Sequence, residues 1–215
     1  AIIRNRDLEN GLISIGASEN ALRLILLSEL EHFCARYPHV RIRLLNYSAP
    51  QAVKALENNI IDFAIVSTPV LVHKHMHQEK LVSYDEILLG GTKYKQFAQQ
   101  VHYLEDISEM PLIGLCEGSS THTHYSRFFM EHDLPFEPDM EAAMTDQVLP
   151  MITHNLGIGF YPKSLALEAI EKELVFPIEL TEPLPNRDVV VITNNHTPIN
   201  SAARRFLEFL LENRK

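Results

Sequence analysis

Short apolar runs alternate with helical patterns along the whole of this chain, and that alternation leaves few folds open to it. The stretch "IIDFAIV" (60–66) is a continuous apolar run broken by Asp62, the pattern of a strand buried on both faces. "GLISIG" (11–16), "VRIRLLN" (40–46), "DEILLGG" (85–91), "PLIGLC" (111–116), "LGIGFYP" (156–162) and "DVVVITN" (188–194) read as further strands. Helical patterns lie between them, near 18–38, 48–59, 93–100, 121–132, 145–155, 163–173 and 199–213. The pattern predicts an α/β chain with mainly parallel sheets.

Local signals support several of these boundaries. Ser18 suits the N-cap of the first helix and Pro38 ends it. Ser48 or Ala49 lies near the next cap, with Pro50 in the first turn. Pro198 suits the first turn of the last helix, Gly157 the C′ position of the helix before it, and Pro150 should kink helix 145–155. The first helix carries an apolar stripe of Leu22, Ile25, Leu26, Leu30, Phe33, Cys34 and Tyr37, widened by Leu24 and Leu27. Two readings stay open: deep burial within one chain, or a second contact at a subunit interface.

With 215 residues, 46% of them hydrophobic and 22% charged, the chain is globular and long enough for one large domain or two small ones. No apolar run reaches the ~18 residues that span a bilayer, and no signal-peptide pattern opens the sequence. A net charge of −9 argues against this chain gripping nucleic acid by itself, since phosphate contacts need a basic surface. Cys34 and Cys116 have no metal or CxxC spacing, and read as two reduced buried thiols. An oxidant-sensing Cys116 beside a helix start is the alternative.

Motifs for catalysis are missing. There is no Gly-x-Ser-x-Gly elbow, HExxH, GxGxxG or Walker sequence. "HKHMH" (73–77) and "HTH" (122–124) invite a metal, but no Asp, Glu or Cys is spaced to complete a site, and the first segment reads as a surface loop. No catalytic residue, metal ligand or cofactor is therefore expected. Polar turns at strand ends remain: Ser18-Glu19-Asn20, Ser67-Thr68-Pro69, Gly118-Ser119-Ser120-Thr121 and Thr145-Asp146. In open α/β sheets ligands sit at such ends. In "LIGLCEGSSTHTHYSRFF" (112–129), a strand, a small polar turn and a helix start together build a place for an anion.

Several stretches together resemble the effector-binding domain of LysR-type transcriptional regulators. They are "GLISIGASENALRLILLSELEHFCARYPHVRIRLLN", "ALENNIIDFAIV", "EGSSTHTHYSRFFMEHDL" and "ITHNLGIGFYPKSLALE". The resemblance runs from about residue 11 to the C-terminus. It implies a type-2 periplasmic-binding-protein-like fold: two Rossmann-like α/β subdomains joined by two crossing strands, with a small-molecule effector in the cleft. By similarity, 11–84 and 163–215 form subdomain I and 85–162 subdomain II, with crossings at 85–87 and 161–162. Residues 1–10 resemble the end of a linker helix. The implied effector contacts are Ser18, Asn20, Ser67, Thr68, Ser119, Ser120, Thr121, Thr145, Asp146, Phe160 and Tyr161. His122 stands where many relatives have Arg after the turn.

The resemblance implies a cytoplasmic, non-enzymatic sensing domain that forms homodimers, and tetramers in the full-length protein. It would touch DNA only through an N-terminal winged helix-turn-helix absent from this chain, and would have no membrane partner. The effector expected from the turn is a small anion. A free-standing solute-binding protein and an enzyme on the same two-lobed scaffold are the rival readings.

Overall fold

The computed structural model describes residues 11–212; the linker-helix reading of 1–10 lies outside them. The described chain divides into two compact units. Unit 1 holds 11–83 and 188–212, and unit 2 is Tyr84–Arg187. Each has one five-stranded sheet.

Unit 1 is built on β1 (Leu12–Ala17), β2 (Arg41–Asn46), β3 (Phe63–Ser67), β4 (Met76–Tyr84) and β10 (Arg187–Asn194), in the order β2-β1-β3-β10-β4. Every residue of β3 is buried, as its apolar run requires. Asp62, the polar break before it, is tied to β1, where its carboxylate accepts the Ser14 N–H at 2.7 Å. Helices cover both faces of this sheet. On one, Phe206 of helix Ser201–Glu212 packs edge-on against Phe33 and stacks on Phe63, with ring centroids 4.8 and 5.8 Å away. On the other, Ala52 and Leu56 of helix Ala49–Glu57 join Ala64, Val66, Val190 and Ile192. That helix opens as expected: Ser48 and Gln51 form a reciprocal capping box, with Pro50 in the first turn.

Unit 2 is built on β5 (Glu86–Gly91), β6 (Leu112–Leu115), β7 (Met140–Ala142), β8 (Ile158–Pro162) and β9 (Val175–Ile178), ordered β7-β6-β8-β5-β9. Leu88, Phe128, Phe129 and Phe160 pack on one side of it, and Leu89, Ile113, Val148, Ile152, Tyr161 and Ala166 on the other.

The two-subdomain α/β class is as expected, but several details differ. The sheets are mixed, because β3/β10, β5/β8 and β5/β9 are antiparallel. The chain crosses between units after Ser83 and after Arg187, at the end of β4 and the start of β10. The expected second crossing at 161–162, with 163–215 returning to subdomain I, is therefore corrected. The reason is pairing: β8 lies inside the unit 2 sheet, and after helix Lys163–Glu171 the strand β9 adds to the far edge of β5. Residues 93–100 form two short 3₁₀ turns, Thr92–Tyr94 and Phe97–Gln99, in place of a helix. The first helix runs Glu19–Ala21, then through a π-turn at Leu22–Leu26 to Leu27–Arg36. Ser18 sits at its N-cap position, yet its side chain makes no capping bond. Leu30 and Phe33 are buried, while Leu27 stays 51% exposed.

The helix Thr145–Thr153 continues through Pro150 and ends on Asn155, which takes the left-handed conformation expected of Gly157. Gly157 has another job. A Cβ there would stand 2.5 Å from the carbonyl oxygen of Pro111, which already accepts the Ile158 N–H at 2.9 Å. That backbone has nowhere to retreat without breaking the β6/β8 ladder. Gly157→Ala should cost about 1–3 kcal/mol. Urea unfolding should show a lower midpoint for this variant, and an unchanged midpoint would mean the strands part freely.

Candidate functional site

The turn between β6 and helix Ser120–Glu131 is shaped by Gly118, whose φ of +93° lies in a region side chains rarely adopt. Ser119 is the N-cap. Its Oγ accepts the His122 N–H at 3.1 Å and its carbonyl accepts the Thr123 N–H at 3.2 Å. Among the described residues nothing accepts from the N–H groups of Ser120 and Thr121. These two donors, on a twelve-residue helix, are what the cap leaves open.

The hydroxyls of the same turn are engaged by a residue that sequence reasoning missed. Arg187, the first residue of β10, reaches the helix start. Its Nη1 donates to Thr121 Oγ1 at 3.0 Å and its Nη2 to Ser120 Oγ at 3.1 Å. Nη1 also donates to Glu86 Oε1 at 2.7 Å, and the guanidinium lies over the Tyr84 ring, 5.8 Å from its centroid. The other carboxylate oxygen of Glu86 accepts from the Tyr125 hydroxyl. The pair is almost wholly enclosed, with side-chain exposures of 0% and 2%. Burial disfavours the Arg187 charge, but Glu86, with Tyr84 and Tyr125, offsets this and holds its pKa above the ordinary value. Burial, reinforced by Glu86, pushes the Tyr125 hydroxyl well above its usual range. So the turn has Arg187 although its own sequence carries His122, and the charge of that arginine is already balanced. No motif marks the pair: a single Glu and a single Arg open two buried strands, 101 residues apart.

A small cavity opens beside this network, lined by Glu86, Thr121, His122, Tyr125, Thr145 and Phe160 among others. Three expected contacts, Thr121, Thr145 and Phe160, are thus brought together. Ser119 and Ser120 lie next to it but spend their hydroxyls on the cap and on Arg187. Asp146 is exposed. Tyr161 is not among the residues lining the cavity and packs with Leu89 and Ala166, on the opposite side of β8 from Phe160. Phe160 stacks on Tyr125, with centroids 4.1 Å apart.

Unit 1 gathers the other expected residues at the paired ends of β1 and β3. Ser18 donates its N–H to Ile65 O at 3.1 Å, Asn20 and Ser67 are buried, and Thr68 Oγ1 accepts the Asp188 N–H at 3.0 Å. The histidines of 73–77 belong to unit 1. His73 and His75 stack at 5.7 Å, and His75 stacks on His196 at 4.6 Å. Among the described residues no group of three or more His, Cys, Asp or Glu is arranged to hold a metal, and no helix is long and apolar enough to cross a membrane.

His124 stands beside the ion pair, and its Nε2 is buried without a hydrogen-bond partner among the described residues. Burial, then the nearby Arg187 charge, lowers its pKa from 6.5 to about 4. The unfolded chain takes up this proton below 6.5, and the folded one resists it until about 4. The folded state therefore binds fewer protons in that window, and stability falls as pH drops through it. At pH 5 the loss should be about 1–2 kcal/mol after allowance for partial exposure. Urea unfolding of the parent and His124→Phe at pH 7.5 and 5 measures this. An equal pH effect in both would remove His124 as its source.

A family model described as the LysR substrate binding domain matches residues 6–215. Among curated relatives, a probable RuBisCO transcriptional regulator from Chlorokybus atmophyticus is 24% identical over 206 residues, 94% of this chain and 66% of that protein. The chain spans about two thirds of the length of such relatives. Among solved structures, the Synechocystis PCC6803 CcmR regulatory domain in complex with 2-PG has a TM-score of 0.83 at 15% identity, covering 95% of this chain and 97% of that one. The effector binding domain of QuiR in complex with shikimate has a TM-score of 0.82 at 15% identity, covering the same shares of each chain, 95% and 97%. A family match over nearly the full length, on a fold of two five-stranded α/β units, makes this chain a ligand-sensing substrate-binding domain of the LysR-type transcriptional regulator family.

Proposed function

We propose that this domain senses a small anionic metabolite, and that the start of helix Ser120–Glu131 holds the anion. The observation that carries this reading is the pair of open N–H donors on Ser120 and Thr121, at the positive end of a long helix. The helix end contributes about 0.3–2 kcal/mol, and each hydrogen bond to the charged group about 1.5–3 kcal/mol. After ordering costs, the affinity is about micromolar to millimolar. Thr145 and Phe160 would line the same place, and the polar group Ser18, Asn20, Ser67 and Thr68 of unit 1 would take part in recognition. Solved domains of the same fold bound to 2-PG and to shikimate support a ligand-sensing role over that of a free-standing solute-binding protein.

The chain would act without chemistry of its own, in the cytoplasm. The protein would reach DNA through a winged helix-turn-helix N-terminal to this segment, and effector binding would bias its assembly. The charge of −9 on this domain fits that division of labour.

A thermal-shift screen of acidic and neutral metabolites tests the anion reading, repeated on two variants of Ser120. This residue occupies the first helical position, where proline is tolerated. Ser120→Ala removes only the hydroxyl, while Ser120→Pro also removes the N–H. An acidic hit should bind the proline variant at least several-fold more weakly than the alanine variant. Hits that are all uncharged, or equal binding by both variants, would sink the reading.

Self-association is proposed to run through the first helix and β2. Leu12, Leu27 and Leu44 of unit 1 are 37%, 51% and 40% exposed, more apolar surface than a lone chain needs. Sedimentation at micromolar concentration should show dimers, weakened in Leu27→Glu. Strict monomers at every concentration would count against it.

A further inference from the structure

The cavity beside the helix start has a chemistry of its own, distinct from the open N–H groups. Its enclosed space is about 20 Å³, enough for about one water-sized group. Besides Glu86, whose carboxylate oxygens are taken by Arg187 and Tyr125, the side chains of Thr145, Thr121 and His122 line it. Thr145 is 8% exposed, and its hydroxyl has no hydrogen-bond partner among the described residues. Thr121 Oγ1 accepts from Arg187, which leaves its own O–H hydrogen to give. His122 turns Nδ1 back to the Leu115 carbonyl at 3.0 Å. A carbonyl only accepts, so Nδ1 carries the proton, and in the neutral ring Nε2, on the opposite edge, is an acceptor. Tyr125, Phe136 and Phe160 supply the apolar remainder.

Charge weighs against an anion in this space. The Arg187 guanidinium is matched by Glu86, whose carboxylate forms part of the wall. A second negative charge would be desolvated against it, and no Lys or Arg is among the residues lining the cavity to balance both. One acceptor, one donor and one hydroxyl able to do either describe a site for a group that both gives and takes hydrogen bonds.

Resting on the reading of an acidic effector, we propose that this cavity is a hydroxyl-specific subsite and that the effector class is hydroxylated acids. The anionic group stays on the open N–H donors of Ser120 and Thr121, and a neighbouring hydroxyl enters the cavity. It donates to His122 Nε2 and accepts from Thr145 or Thr121. An acid without the hydroxyl forgoes the hydrogen bonds to Thr145 and His122, and a site built to hydrogen-bond a ligand hydroxyl discriminates against the analogue that lacks it.

Matched probes test this: lactate against propionate, 3-hydroxybenzoate against benzoate, and glycerol as a neutral hydroxyl source. Binding is followed by NMR titration on the His122 ring and Thr145 methyl signals of the parent, Thr145→Val and His122→Phe. Each hydroxylated acid should bind the parent about tenfold more tightly than its partner, and shift both signals. Thr145→Val, close in shape, should reduce that ratio toward one while changing propionate or benzoate affinity less than twofold. Acids that bind without regard to the hydroxyl, or a ratio unchanged in both variants, overturn the subsite and leave the anion reading standing. Glycerol shifting the two signals while no acid binds keeps the subsite and removes the anion. No response to any probe removes both.

Discussion

One buried ion pair organises unit 2. Arg187 and Glu86 are each the first residue of a strand, and each strand begins where the chain has just crossed, or is about to cross, between units. Removing both charges from water is expensive, and the geometry recovers it only because the remaining polar atoms are matched as well. The guanidinium donates to Glu86, Thr121 and Ser120, and Tyr125 fills the second carboxylate oxygen. The start of helix Ser120–Glu131, the aromatic stack of Tyr125 on Phe160 and the cavity wall all take their positions from this network. Losing one partner would strand the other charge in an apolar core, where a hydrophobic replacement of both would not.

The same network explains how a helix start can be both polar and nearly neutral. An arginine within the turn's own sequence would present a free positive charge to any anion. Here the cation comes from a distant strand and brings its counter-charge with it. The backbone N–H groups of Ser120 and Thr121 are left as the part of the turn still seeking an acceptor. On the proposed reading, recognition would rest on fixed dipoles and hydroxyls, which favour weak, reversible and shape-dependent binding over tight capture of any acid.

The fold class was legible in the sequence because buried strands such as Phe63–Ser67 are apolar without interruption and the helices carry clear periodicity. What escaped was pairing. The strand Met76–Tyr84 reads "MHQEKLVSY", half polar because it lies at a sheet edge, and shows no strand pattern in the sequence; its first residues fall in the 73–77 segment that reads as a loop. Val175–Ile178 is four residues with a proline, and nothing local says that it adds to β5. That unseen edge moved the second crossing from 161–162 to the end of Arg187. In the candidate site, the strand-end turns drew notice through their small polar residues, and Thr121, Thr145 and Phe160 do line one cavity. Arg187 and Glu86 could not be found in the same way, since long-range charge pairs leave no spacing to read. Tyr161 lies on the other side of β8 from Phe160 and does not line that cavity.

Strand order also dictates a sequence of events during synthesis. Unit 2 is one uninterrupted segment, whereas unit 1 is made from two pieces separated by it. In unit 1, β10 lies between β3 and β4, so β4 has no partner until residues 188–194 have left the ribosome. The first piece must therefore wait, with the inner edge of β3 unpaired, while the whole of unit 2 is produced and becomes free to fold. An unpaired apolar edge is the part of a nascent chain most open to mispairing. The chain thus matures from the inside outwards, and its last helix, carrying Phe206 to Phe33 and Phe63, closes the core that was begun first.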